Sequence, residues 1–205
     1  MAFGFLDVAV TPAVRAVQEE LGVADMWADF KGNREFDRFT EAEAAFISSR
    51  DSFYMATVSE TGWPYVQHRG GPQGFLKVLD DQTLAFADYR GNFQYISLGN
   101  LSANDKACLF LMDYPRRARL KIYVYADVVA LDADPAMTDA VLAGATGKVE
   151  RIIRLRLQNF DWNCPQHIVP RFTEAQMAAA LQPIRDRLES LEAENARLRA
   201  QMPQG

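Results

Sequence analysis

The residues best suited to chemistry lie between His68 and Gly99. His68-Arg69-Gly70-Gly71-Pro72-Gln73-Gly74-Phe75-Leu76-Lys77 leads through a turn at Asp80-Asp81 to Phe86-Ala87-Asp88-Tyr89-Arg90-Gly91-Asn92-Phe93-Gln94. Two apolar strands are interrupted by glycines, bases and amides, at strand ends where backbone N–H groups are free to meet an anion. Glycines at 70, 71, 74 and 91 let the backbone approach a ligand closely. A second basic run, Arg116-Arg117-Ala118-Arg119-Leu120-Lys121, adds cations. On residue types alone two readings stand side by side. Either the stretch holds an anionic, planar ligand, or its glycines are turns and bulges and its arginines a solvated face.

A second constellation is Trp162-Asn163-Cys164-Pro165-Gln166-His167. The chain has two Cys and two His in all, so a zinc set would also need Cys108 and His68. Cys108 lies inside an apolar strand and reads as core, so no metal is expected. A Cys–His nucleophile pair three residues apart on a Pro-containing segment carries no hydrogen-bonding geometry. The segment reads better as a lid or inter-subunit contact. No P-loop, dinucleotide-binding fingerprint or serine elbow is present, and no catalytic residue can be named.

Composition narrows the class. The chain has 205 residues, 49% hydrophobic and 24% charged, enough for one domain with a real core and an appendage. A net charge of −5 argues against a nucleic-acid binder, and no apolar run approaches a membrane span. The N-terminal residues lack the basic region of a signal peptide, so cytoplasmic residence is the expectation.

The elements that must position these residues follow from local pattern. Thr11-Pro12 starts a helix ending at Gly22, and Trp27, Phe30 and Phe36 are expected to cover the main domain. Thr40 and Glu43 form a capping box for a helix to about Ser49. From Asp51 the period becomes that of strands: 52–58 with 65–69, 75–79 with 83–87, then 107–112, 120–131 and 151–162. Helices are expected at 95–103 and 135–142. Six or seven antiparallel strands with few helices between them point to a small β-barrel.

The C-terminal segment changes character. Leu181, Ile184, Leu188, Leu191, Asn195, Leu198 and Met202 alternate steps of three and four, a heptad with those residues at a and d. Asn195 at a favours a two-stranded parallel pairing, in which Arg187 meets Glu192 and Glu194 meets Arg199 across the seam. The competing reading is one amphipathic helix lying on its own barrel. Pro183 marks a kink or a fresh helix start.

Residues from about Phe39 to Arg171 resemble the pyridoxamine 5′-phosphate oxidase-like flavoproteins, the FMN-binding split barrels. The likeness rests on Gly74-Phe75-Leu76-Lys77, on Phe86-Ala87-Asp88-Tyr89-Arg90-Gly91-Asn92, on Arg119-Leu120-Lys121-Ile122 and on Phe160-Asp161-Trp162. Tyr65-Val66-Gln67-His68-Arg69-Gly70-Gly71-Pro72, Leu111-Met112-Asp113-Tyr114-Pro115 and Asn163-Cys164-Pro165-Gln166-His167-Ile168 are similar to an uncharacterised bacterial branch of it. The resemblance implies a mainly β (α+β) fold: a six- to seven-stranded antiparallel split barrel over 39–172. A helical cover would span 1–38 and a coiled-coil helix 173–205.

It also implies a homodimer with FMN at the subunit interface, acting on a small molecule by hydride or two-electron transfer. Arg69 and Lys77 would face the flavin or its phosphate, on the hairpin that includes Gly74, Phe75 and Leu76. Ala87, Asp88, Asn92, Phe93 and Gln94 would form the phosphate turn, and Arg119 would reach in from the central strand. Trp162, Gln166 and His167 would come from the other subunit. Two departures stand out. Phe93 replaces a base usual in the branch, and Tyr123-Val124-Tyr125 replaces a glycine beside the site, which is expected to narrow the pocket. These departures motivate an alternative: a non-catalytic barrel binding haem or another flavin, with His68 or His167 as the available ligand.

Overall fold

The structure is a computed structural model that describes residues 4–27, 37–162 and 165–201. Phe30, Phe36, Asn163, Cys164 and Met202 lie outside the described residues, as does the side chain of Trp27. The N-terminal part comprises α1 (Phe5–Ala9), α2 (Pro12–Glu20) and a 3₁₀ turn (Ala24–Trp27). Thr11 caps α2 by accepting from the Val14 N–H, and Pro12 takes the first helical position. α3 (Glu41–Ser48) is opened by the expected box, in which Thr40 accepts from the Ala42 N–H and Glu43 accepts from the Thr40 N–H.

The rest is strand and short helix: β1 (Ser52–Val58), β2 (Pro64–Gly70), β3 (Lys77–Val78), β4 (Thr83–Tyr89), α4 (Ile96–Ala103), β5 (Lys106–Asp113), β6 (Ala118–Val129), α5 (Pro135–Leu142) and β7 (Val149–Trp162). They form one antiparallel seven-stranded sheet in the order β2-β1-β5-β6-β7-β4-β3. Alternation sends one row of each strand inward. Phe53 and Met55 of β1, Leu84 and Phe86 of β4, Leu109 and Leu111 of β5, Leu120 and Ile122 of β6, and Ile153 and Leu155 of β7 share a single core. Ile47 of α3 and Leu101 of α4 join it. Each fully buried large side chain among them contributes about 1.5–3 kcal/mol. α5 packs outside, where Met137 and Val141 meet Ala85, Ala87 and Ile152.

The sheet curls until its ends meet, yet no backbone ladder joins β2 to β4. Four strands separate them in the hydrogen-bonded order, but Arg69 of β2 lies 3.0 Å from Asp88 of β4. Phe53 packs edge-on against Phe86 at 5.4 Å across the same seam. The barrel is therefore split, and side chains close it. Glycine serves the seam at two positions. A Cβ at Gly71 would lie 2.8 Å from the Phe75 ring, and Gly74 has φ +76° beneath the Ser48 carbonyl. At both positions the close contact is with the chain's own atoms.

Candidate functional site

The inward row of β2 is Tyr65, Gln67 and Arg69, paired in register with the inward Thr57, Met55 and Phe53 of β1. At the open end of the seam this row, Asp88, the loop 91–95 and the start of α4 enclose a cleft of about 220 Å³. Two hydrogen bonds fix α4 against the strands. The Ser97 hydroxyl donates to Gln67 Oε1 at 3.0 Å, and the Asn100 amide donates to the buried Thr57 hydroxyl at 2.9 Å. Ile96, Ser97 and Leu98 thus line the cleft with the first turn of a helix that no side chain caps. First-turn N–H groups have no intrahelical acceptor, and the helix dipole there favours negative charge.

Charge alternates through the wall and the residues behind it. Arg69 pairs with Asp88 at 3.0 Å, and Asp88 also faces Arg151 at 3.7 Å. Arg151 pairs with Glu150, which Arg90 approaches at 3.6 Å. Of these charged groups only Arg69 and Asp88 line the cleft itself; Arg151, Glu150 and Arg90 stand behind it. Arg69 Nε is buried and has no partner, so the guanidinium keeps a donor in reserve. The loop is strained as well. Phe93 and Tyr95, both aromatic, hold φ of 64° and 50°, a conformation costing on the order of 1–3 kcal/mol and concentrated at ligand sites. Tyr95 is anchored by its hydroxyl on Glu150 at 3.2 Å and by Arg151 over its ring. Phe93 is 59% exposed and lies under Arg90.

Of the residues singled out in the sequence, the cleft brings together Arg69, Asp88, Asn92, Phe93 and Gln94. Asn92 and Gln94 brace one another, the Gln94 N–H donating to Asn92 Oδ1 at 3.1 Å. The other residues lie elsewhere in the protomer. Phe75 stacks on Phe53 at 5.5 Å and Leu76 is fully buried. Lys77 pairs in register with Ala85 and so belongs to the α5 side, where Nζ donates to the Ala143 carbonyl at 3.2 Å. Ala87 is on that side too, one residue and one face away from Asp88. Arg119 sits opposite Met112 on the outward face, and its Nε is also buried without a partner.

Trp162 donates its indole N–H to Glu43 Oε1 at 2.7 Å and packs edge-on against Phe46, which clamps the end of β7 to α3. Gln166 and His167 are exposed, His167 with φ 62°. Two expectations need correction. Cys108 is not core: it is half-buried on the outward face with Tyr123, in an apolar recess of about 320 Å³, where burial pushes its thiol pKa up. Val124 is a core residue and Tyr123 and Tyr125 point outward, so none of the three narrows the Arg69 cleft.

Sequence reading passed over Tyr65, Gln67, Arg151 and the first turn of α4. Arg151 enters because β7 pairs with β4, with Asp88 opposite Arg151. That pairing joins residues far apart in sequence, and no local pattern announces it. Tyr65 and Gln67 were accessible, since they share the two-residue period of Arg69.

A split barrel with a cleft beside a helix N-terminus is a fold and a site that known proteins can be set against. The family model of pyridoxamine 5′-phosphate oxidase matches residues 39–154. No curated protein matches the chain. Among solved structures, HupZ of Group A Streptococcus is similar at a TM-score of 0.51 and 16% identity, covering 65% of this chain and 99% of that one. A Lactobacillus delbrueckii protein described as a putative pyridoxamine 5′-phosphate oxidase is 23% identical, with TM-score 0.48 and coverage of 61% and 94%. An FMN-binding protein of Syntrophomonas wolfei is 17% identical, with TM-score 0.45 and coverage of 71% and 97%. The HupZ likeness supports the split-barrel fold; the family match spans more than half of the chain. The chain belongs to the pyridoxamine 5′-phosphate oxidase family.

Proposed function

We propose that the chain is an FMN-dependent oxidoreductase that acts as a homodimer on a small-molecule substrate. The observation that carries the reading is Arg69. Arg69 lines a cleft whose other wall is the uncapped first turn of α4, and its Nε is buried without a partner. A phosphate needs this donor set: a guanidinium and convergent backbone N–H groups. The residues present therefore fit a flavin phosphate, held by Arg69, the 96–98 amides and the Asn92 and Gln94 side chains. Bound FMN would supply two-electron transfer.

The protein's own share is binding, orientation and exclusion of water. Asp88 orients Arg69 and is itself held by Arg151, so the guanidinium stays in place before ligand arrives. Lys77 keeps its ammonium on the α5 side, and this reading assigns the phosphate to Arg69 in its place. Trp162, Gln166 and His167 do not line the cleft of their own protomer, which fits a role toward the second subunit's site. The outward face of β2, β1 and β5 offers a surface for that subunit: Val66, Tyr54 and Val58 are exposed on it. The haem alternative gains no support from the cleft. His68 points outward, its ring edge-on to Tyr54, and neither histidine lines the cavity.

The test is the spectrum of the purified protein after incubation with FMN and removal of free ligand. Flavin absorbance that follows the protein, and flavin fluorescence released on denaturation, is the expected result. A colourless protein with no releasable flavin overturns the reading.

A further inference from the structure

The strongest feature left unused is α6 (Glu174–Gln201), a single 28-residue helix. Thr173 caps it, accepting from the Gln176 N–H at 3.2 Å while Gln176 accepts from the Thr173 N–H at 2.9 Å. None of its residues is buried. The alternative of a helix folded onto its own barrel is therefore not what the protomer adopts. An apolar stripe runs along it uncovered: Met177, Leu181, Ile184, Leu188, Leu191 and Leu198. The a and d spacing extends one step upstream of Leu181, to Met177 at d.

We propose that this stripe is a parallel, in-register coiled coil with α6 of a second copy of the chain. Charge complementarity supports the occupant. Position g Arg187 meets the partner's Glu192, and g Glu194 meets the partner's Arg199, with no like-charge pair across the seam. Charge alone does not fix orientation, because an antiparallel pairing also sets Arg185 against Glu192 and Arg187 against Glu194. Asn195 does fix it. In a parallel pair, a faces a, and Asn195 meets the partner's Asn195, so both amides find a partner. In an antiparallel pair, a faces d, and every d residue is apolar: Met177, Ile184, Leu191 and Leu198. A buried amide without a partner costs about 1–3 kcal/mol on each strand. Pro183 sits at c, on the outer side, where its missing N–H leaves the Ala179 carbonyl to solvent.

The inference is independent of the flavin reading. The test uses the full chain with Cys108→Ser and Cys164→Ser, adding either Leu198→Cys at d or Ala193→Cys at the outer f position. Under mild oxidation, Leu198→Cys is expected to run as a covalent dimer on a denaturing gel while Ala193→Cys remains monomeric. Arg187→Glu or Glu192→Arg added to Leu198→Cys should slow the cross-link severalfold, and both together should restore it. Only the parallel pairing gives that rescue, since an antiparallel one is repelled twice by the double swap. Equal cross-linking at 193 and 198, no cross-link at 198, or failure of the double swap to rescue each overturns the proposal. Flavin absorbance of the same samples reads the other proposal separately.

Discussion

Arg69 has two claims on it. The edge of the guanidinium is spent on Asp88 at 3.0 Å and its carbon lies over the Phe86 ring, while the buried Nε has no acceptor. Removing it as Arg69→Ala should weaken FMN by about 10- to 100-fold, the 1.5–3 kcal/mol of a charge-assisted hydrogen bond, read by fluorescence titration. Phe93→Arg acts in the opposite direction. It places a base at the exposed end of the cleft and should tighten FMN by one to two decades, by the same estimate. Glu43 governs stability. Burial alone would raise its carboxyl, but hydrogen bonds from Thr40 and the Trp162 indole outweigh that and hold it below the usual carboxylate range. A depressed folded pKa gives stability that is complete above the unfolded value and is lost as pH falls through the folded one. Glu43→Gln should therefore lower the melting temperature at neutral pH, and the gap to the parent should close on acidification. That Arg69, Asn92 and Gln94 share one end of the barrel was legible, because they flank the strands of one hairpin-rich stretch. That Lys77 and Ala87 face α5 was not legible: it depends on which neighbour of β4 supplies the register.

Elements were more legible than sites. Thr40 with Glu43, Thr11 with Pro12 and the glycine-marked turns are local chemistry, and most strands and helices follow from a period read within one segment; α1 was not expected, and the strand expected over 75–79 is only Lys77–Val78. Closure was not local. It depends on β4 pairing with β7 and on the meeting of β2 with β4, contacts that no window of sequence contains. α4 shows what this means for the site. Its sequence predicts a helix, but only Asn100 on Thr57 and Ser97 on Gln67 decide where its N-terminus points. Asn100→Ala leaves the Thr57 hydroxyl buried and unpartnered, a loss of about 1–3 kcal/mol. For a chain of this size that is roughly 2–4 °C of melting temperature per kcal/mol. FMN affinity should fall along with it, measured by titration below the transition. Ser102→Ala on the exposed side of the same helix should change neither.

At the scale of the molecule, the outward face of β2, β1 and β5 and the stripe of α6 are both apolar and both uncovered in one protomer. Val66→Glu, on the exposed edge strand, should weaken a barrel interface. The chain should then stay dimeric by light scattering only while α6 is intact. Two such contacts in one assembly act together, since the second forms within a pair already held by the first. The seam has a consequence of another kind. Six ladders of the barrel are backbone hydrogen bonds, but across the seam Arg69 of β2 meets Asp88 of β4, and Phe53 of β1 meets Phe86, through side chains. Amide protons along β5, β6 and β7 should exchange with deuterium only in global unfolding, while those on the free edge of β2 should exchange through small openings of the seam. A phosphate bridging Arg69 and α4 would lock that edge from inside. Slower deuterium uptake in β2 and the first turn of α4, with β5 and β6 unchanged, would then be the signature of a filled cleft.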